Sequence, residues 1–356
     1  MTNRRDFIVG TGAAIALSNL PARAWADANA DVDALLGEYA EELLVDYPEN
    51  ATGLGIDTGK RAHLKAKLAD RSPEGQRAIA QRAAKRLARL KALDVSKLSE
   101  AARVDVDIIR TAHEFASEGF AFPYGDMALL NQSWSYRNAP YVVAQNTGAF
   151  LEIPTMLDTR HTIETRQDAD AYLSRLEAYA GQLDGETERL RSAAAQGVIA
   201  PDFLLDKTLA QLKIARSGDI ARWSLVTSLA NRTKQMDGDY AAKATKIATD
   251  KVAPALGRQL AELEKHRKRA TSDAGVWKLP RGDEYYAWTL TAGTTTRMTP
   301  EQIHAMGQEE LRALQSEMDG ILKKQGLTEG TDGERKTAHG KDTPTQIPDT
   351  DQPRKS

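Results

Sequence analysis

The chain has 356 residues, with 48 Lys and Arg, 50 Asp and Glu, and a formal net charge of −2 at pH 7. This near-neutral balance excludes the strongly basic surface with which proteins attract nucleic-acid phosphates, so no nucleic-acid partner is expected. The sequence contains no cysteine, which excludes disulfide bonds and thiolate chemistry. Stability must therefore come from an apolar core without covalent cross-links.

The first residues have the pattern of an export signal. Arg4 and Arg5 precede a weakly apolar run over residues 9–20, and Ala24 and Ala26 form the small-x-small pattern that a signal peptidase cleaves. Paired arginines before such a run are typical of the bacterial twin-arginine (Tat) signal. The run is too short to cross a bilayer, which needs roughly 20 apolar residues, so no transmembrane segment is expected.

Three regions follow from this interpretation. Residues 1–26 are expected to be a twin-arginine signal peptide recognised by the Tat export machinery, with an ordinary secretory signal or a chance basic start as the alternatives. Residues 27–326 are expected to form the helical body of a periplasmic or otherwise exported protein. Residues 327–356 lose helical periodicity and are rich in Gly, Thr, Asp, Lys and Pro, which predicts a polar, poorly ordered tail.

Apolar residues recur at intervals of three and four along most of the chain, which predicts an all-α fold, a multi-helix array without a substantial sheet. The clearest segment is 299–325, where Thr299 can cap, Pro300 occupies the first helical position and Gln302 completes a capping box. Gly326 is placed to end this helix. Further helices are expected after Ser99 and Asp168, and at 31–46, 74–93, 202–216, 219–233 and 236–268.

Two long stretches rich in aromatic residues, 119–147 and 272–298, lack this periodicity and are predicted to be loops. In a helical protein such loops often carry binding surfaces. Loops that only cover the ends of helices would show the same composition, so both interpretations remain open.

The sequence shows no recognisable catalytic centre or metal site. His113 and Glu114 begin the His-Glu-x-x-His pattern of a zinc protease helix, but Ser117 stands where the second histidine is needed. His161 and Glu164 could share one helix face, but two ligands alone make a poor metal site. Neither a phosphate-binding loop nor a Gly-x-Ser-x-Gly nucleophile turn occurs. No catalytic residue, metal ligand or cofactor is therefore assigned.

Four stretches carry a resemblance to a known family: Pro48–Gly53 (PENATG), residues 148–176, residues 275–304 and residues 333–351. The third is the most specific, because GVWKLP is followed in order by the Tyr-Tyr pair, the Thr-Thr-Thr run and TPEQIH. Together these stretches resemble bacterial proteins of the domain of unknown function 885 (DUF885). The resemblance covers nearly the whole chain after the signal.

The resemblance implies an exported helical protein similar to zinc metallopeptidases. Longer family members carry a His-Glu-x-x-Pro-Gly-His motif in their C-terminal half, where the metal activates a water and the glutamate takes its proton. No position here matches that motif, so zinc is expected only in full-length members. The resemblance then implies the N-terminal helical part of a peptide hydrolase, truncated and inactive alone. Three origins stay open, namely a truncated gene product, a frameshift and a split gene, and the partners considered are a peptide substrate and a separately encoded C-terminal half. Its missing neighbour would leave an apolar face uncovered, with helix 299–325 as the expected carrier.

Trp277, Tyr285, Tyr286 and Arg297 are the candidate residues for contacting a peptide substrate, since they lie in or beside the family-like stretch and can stack or donate hydrogen bonds. Packing within the loop is the alternative role for the aromatic members. Two other functions stay open: a non-catalytic periplasmic binding or scaffold protein, and an independent enzyme built from scattered carboxylates.

Overall fold

The computed structural model describes residues 19–127, 129–131 and 139–340, without the side chains of residues 19–27. Arg4 and Arg5, the twin arginines of the predicted signal, lie outside the described residues. Ala24 and Ala26, at the predicted cleavage site, lie within the first helix, of which only the backbone is described there.

The described residues form thirteen α-helices and no β-strand, which confirms the all-α prediction. Two isolated bridges, between Asp126 and Ala139 and between Ala144 and Thr147, are the extended pairings in this part of the chain. The helices are α1 (Asn19–Asp46), α2 (Pro48–Gly53), α3 (Pro73–Lys91), α4 (Glu100–Gly119), α5 (Ala149–Thr159), α6 (Arg166–Ala195), α7 (Asp202–Ala215), α8 (Ser224–Arg232), α9 (Tyr240–Ile247), α10 (Ala253–Arg267), α11 (Gly282–Thr294), α12 (Pro300–Lys324) and α13 (Asp332–Gly340).

Local sequence explains where several helices begin. The Thr299 side chain accepts a hydrogen bond from the Gln302 amide, and the Gln302 side chain accepts one from the Thr299 amide. This reciprocal pair satisfies two amides that the first turn leaves without partners, and it confirms the predicted capping box. Thr165 and Asp168 form the same arrangement before α6. Ser99 caps α4 through the amide of Ala102.

Two expected segments are divided differently from the prediction. Region 236–268 contains α9, a π-helical turn at Ala248–Val252 and then α10, with Pro254 at the start of α10. A proline has no amide hydrogen for the carbonyl four residues earlier and its ring clashes with that carbonyl, so the helix widens before it. Region 272–298, predicted to be a loop, contains α11. The structure corrects the prediction there, because Tyr285, Trp288 and Ala292 share one buried helical face.

The chain divides into a first unit ending at Gly293 and a second unit from Thr294 onward. In the first unit, α6 is central: its residues Tyr172, Leu176, Tyr179 and Leu183 are buried in the largest apolar cluster. Helices α3, α5, α8, α9 and α10 pack against α6, and α4 packs against α3. None of the described helices has both the length and the apolar character needed to cross a bilayer.

The second unit, as far as it is described, consists of α12 and α13. Arg335 of α13 pairs with Asp319 of α12 at 2.7 Å and also with Asp332. The tail predicted to be poorly ordered from residue 327 thus includes a short helix at Asp332–Gly340, while residues 341–356 lie outside the described part. Leu322 is the buried residue of α12, whereas most of its length is exposed.

Candidate functional site

A cavity of about 350 Å³ opens in the first unit among α2, α3, α5 and the loop residues Asp126, Met127 and Asn131. This volume lies within the range of pockets that hold small organic ligands. Apolar side chains, including Ile79, Ile153 and Met156, supply part of its wall. Its charged lining consists of Glu49, Asp70, Asp126, Glu152, Arg71 and Arg160.

A buried ion-pair network lies at the wall of the cavity. Arg71 Nη1 donates to Glu186 Oε1 at 2.8 Å, and Arg71 Nη2 donates to Glu152 Oε2. Glu186 also accepts hydrogen bonds from the Ala149 amide at 2.9 and 3.1 Å, at the start of α5. One guanidinium therefore joins the segment before α3 to α5 and α6, three parts of the chain that are far apart in sequence.

Burial and charge act in opposite directions on this network. Burial disfavours the charge of Arg71, but Glu152 and Glu186 lie close enough to raise its pKa well above its usual range, and Glu49 and Asp126 add to this effect. Burial raises the pKa of Glu186, and the charge of Arg71 offsets part of that rise. Arg71 therefore remains cationic, surrounded by more carboxylates than it can pair with.

Glu49 is placed at the cavity by the start of α2, where Pro48 occupies the first turn. Its Oε1 accepts hydrogen bonds from the Ala69 amide and from Gln182 Nε2, each at 3.0 Å. Its Oε2 accepts none from the described residues. Glu49 is thus fixed in position through one oxygen while the other remains available.

The apolar periodicity of the sequence did not single out the buried charged residues of α6, although their positions on the apolar stripe indicate that they are buried. Glu186 occurs three positions after Leu183 and four before Leu190, so it lies on the apolar stripe of α6. Arg175 has the same spacing to Tyr172 and Tyr179. A charged residue on an apolar stripe indicates a buried charge with a partner elsewhere. The sequence alone does not identify that partner.

The four predicted substrate-contacting residues occupy different environments. Trp277 and Tyr286 are exposed, at 66% and 45%. Tyr285 is only 3% exposed and packs edge-on against Phe122, with ring centroids 5.2 Å apart. Arg297 is exposed in the second unit. Tyr285 thus lies inside the aromatic cluster of the first unit, while Trp277 and Tyr286 remain available to a ligand.

The described residues contain no group of three or more His, Asp or Glu side chains placed to hold a metal ion. His113 and His161, considered above as possible ligands, are both buried. His113 Nδ1 lies 2.8 Å from the Ile109 carbonyl oxygen, and His161 Nε2 lies 2.9 Å from that of Asp168. Both rings therefore hydrogen-bond to the backbone of the chain.

Comparison with known proteins identifies the family. A family model described as "Bacterial protein of unknown function (DUF885)" matches residues 48–356. The solved structure of "the putative lipoprotein from Colwellia psychrerythraea" is similar with a TM-score of 0.77 and 20% sequence identity, over 89% of this chain and 55% of that one. At this identity the likeness shows the fold alone, and the chain spans about half the length of that protein. No curated protein matches the sequence.

Proposed function

Because the chain belongs to the DUF885 family of bacterial proteins, we propose that it is the N-terminal helical part of an exported, metallopeptidase-like protein. In this proposal the chain is inactive as a peptidase when alone. A C-terminal region with the His-Glu-x-x-Pro-Gly-His motif, which residues 1–356 do not contain, supplies the zinc ligands and the general base.

The apolar face of α12 is the observation that carries the proposal. Met306, Leu311, Leu314 and Ile321 recur along one side of this helix and are 47%, 49%, 60% and 52% exposed. An amphipathic helix normally buries such a stripe, and a large exposed apolar patch marks a surface for another protein. The similar solved chain is about twice as long, which supports a C-terminal region as the part that covers this face.

The export part of the proposal rests on two observations. Arg4 and Arg5 begin a segment with the features of a Tat signal. The similar Colwellia structure is described with the word lipoprotein, which supports an envelope location.

The first experiment measures zinc content and peptide hydrolysis by the purified chain. The proposal predicts no stoichiometric zinc and no hydrolysis by the chain alone. Adding a co-expressed C-terminal polypeptide should produce a stable complex that has both. Stoichiometric zinc together with peptidase activity in the isolated chain would contradict the proposal.

The DNA after the codon of Ser356 provides an independent test. An open frame that encodes His-Glu-x-x-Pro-Gly-His, either continuous with this chain or separate from it, would identify the expected C-terminal region and supply the polypeptide for co-expression. If such a polypeptide is expressed and neither binds the chain nor acquires activity with it, the proposal fails.

A non-catalytic periplasmic binding or scaffold protein is the second candidate function. The exposed rings of Trp277 and Tyr286 favour it, since exposed aromatic side chains often serve as contact points for a partner. A protein of this class would retain a ligand or partner without zinc and without the C-terminal polypeptide, which distinguishes it from the first proposal.

A further inference from the structure

The cavity in the first unit has an excess of negative charge. Five carboxylates lie in or directly behind its wall, on Glu49, Asp70, Asp126, Glu152 and Glu186. Four guanidinium groups lie in or behind the same wall, on Arg71, Arg160, Arg189 and the buried Arg175, which interacts electrostatically with Glu49. Arg71 pairs with Glu152 and Glu186, and Arg189 pairs with Asp126 at 3.0 Å. Glu49 has no arginine or lysine partner within salt-bridge distance among the described residues.

One carboxylate oxygen of Glu49 also has no hydrogen-bond donor among the described residues. Glu49 Oε2 accepts none from the described residues, since both of its bonds end on Oε1. Glu49 lines the cavity, so this oxygen can accept a hydrogen bond from a donor on a ligand, and the charge excess favours a cationic donor.

We propose that this cavity binds a small organic molecule through a primary ammonium group, with Glu49 as its main ionic partner. The ammonium group offers three N–H donors to a site rich in acceptors. The apolar wall of Ile79, Ile153 and Met156 covers the carbon part of the ligand. The free N terminus of a short peptide and a simple aliphatic amine both have this chemistry.

A metal ion fits the same charge less well. The described residues lack a group of three carboxylate or imidazole side chains close enough for shared coordination, and a hard divalent cation needs at least six oxygen ligands. A cavity of about 350 Å³ with apolar side chains is also much larger than an ion site. An organic cation fits both the volume and the mixed lining.

The test measures binding of three probes to the full chain by calorimetry at pH 7. Alanyl-alanine amide presents a peptide ammonium group, n-butylamine presents a simple amine, and N-acetyl-alanyl-alanine amide has the peptide body without the charge. Saturable binding of either charged probe, with at least tenfold weaker binding of the acetylated probe, supports the proposal. The relative affinities of the two charged probes distinguish a peptide ligand from a simple amine.

Charge-removing variants then locate the site. Glu49→Gln retains an oxygen for the Ala69 amide and should weaken binding about tenfold, as expected for the loss of a charge-assisted hydrogen bond. Glu41→Gln is the matched control, since it removes the same charge from a carboxylate paired with Arg61 outside the cavity. This control should leave the affinity unchanged. Asp70→Asn, at the exposed rim, serves as a second test with a several-fold loss if Glu49→Gln does not fold.

Three results would overturn the proposal. The first is that neither charged probe binds. The second is that the acetylated probe binds as tightly as the charged probes, and the third is that Glu41→Gln weakens binding as much as the cavity variants do. All measurements use the chain alone and require neither zinc nor hydrolysis. The inference therefore goes beyond the proposed peptidase role and can fail or succeed separately from it.

Discussion

Arg175 Nη1 lies 3.0 Å from His161 Nδ1 in the interior of the first unit. An arginine can only donate, so the ring nitrogen facing it must carry no proton. His161 Nε2 then donates to the Asp168 carbonyl oxygen at 2.9 Å. The contact thus fixes His161 as a neutral tautomer beside a buried cation.

Arg175 itself is fully buried, and among the described residues no carboxylate lies within direct hydrogen-bond distance of it. Burial lowers its pKa to about 10, which leaves it charged at neutral pH. Its other hydrogen bonds go to the carbonyl oxygens of Lys67 and Leu64, to Thr52 Oγ1 and to Met156 Sδ. Through these bonds one side chain of α6 holds α2 and the turn at residues 59–66 in place.

The first prediction concerns stability at mildly acidic pH. Burial lowers the pKa of His161 to about 4, against about 6.5 in an unfolded chain. The unfolded chain therefore binds a proton first as the pH falls, and the free energy of unfolding should decrease between pH 6.5 and pH 4 by up to about 3 kcal/mol. Urea unfolding at several pH values measures this. His113 and His266, whose pKa values burial also lowers, add to the decrease.

The His161→Gln variant isolates the contribution of that ring. A glutamine oxygen can still accept from Arg175 but does not titrate, so the variant should lose less stability than the parent between pH 6.5 and pH 4. An identical pH profile in both proteins would contradict the neutral, buried state of His161. Asp168 changes stability little in this pH range. Lys65 and Thr165 hold its pKa near 2 despite its burial, so the stability that its carboxylate contributes is lost mainly below pH 4.

The second prediction concerns Arg175. Arg175→Met removes the charge but leaves the His161 nitrogen and two carbonyl oxygens without their donor, each at about 1–3 kcal/mol. We expect the free energy of unfolding to fall by at least about 3 kcal/mol in urea titrations. Arg258→Met is the control: it removes an exposed arginine of α10 that pairs with Asp184 of α6, the helix that carries Arg175. That pair should contribute less than about 1 kcal/mol.

The third prediction concerns the Arg71 network. Arg71→Met leaves Glu152 and Glu186 buried without their cation and should reduce the free energy of unfolding by about 3–5 kcal/mol. Adding Glu186→Gln removes one of the two unpaired buried carboxylates and should recover part of the lost stability. Thermal and urea unfolding of the single and double variants complete a double-mutant cycle. Strictly additive losses would show that the two side chains do not interact.

The fourth prediction concerns the exposed face of α12. Replacing Leu311 and Leu314 with serine should reduce the binding of a hydrophobic dye and any self-association of the isolated chain. The melting temperature of the first unit should stay the same, because both residues are exposed. The matched control is Val104→Ser with Ile108→Ser, two exposed apolar residues on α4 that do not form a long stripe. Equal effects in both pairs would argue against a specific surface on α12.

Local sequence determined most helices of this protein and several of their first residues. A capping box such as Thr299 with Gln302 acts over three positions, so its hydrogen bonds can be inferred without knowing the fold. The family resemblance was also readable from short ordered motifs, and the family match over residues 48–356 confirms it. The helix at 282–294 was missed because flanking glycine, proline and mixed aromatic residues obscured its short periodic face.

Only the tertiary structure decided which faces are buried and which charges meet. On α4 the residues Val104 and Ile108 are exposed, while Val106 and His113 on the opposite face are buried. Arg71 meets Glu186 across 115 positions of sequence, and Arg175 meets Thr52 across 123. Helix formation depends on neighbours within one turn. The cavity and its buried charges depend on how whole helices pack, since a buried charge is tolerated only where distant residues supply its partner.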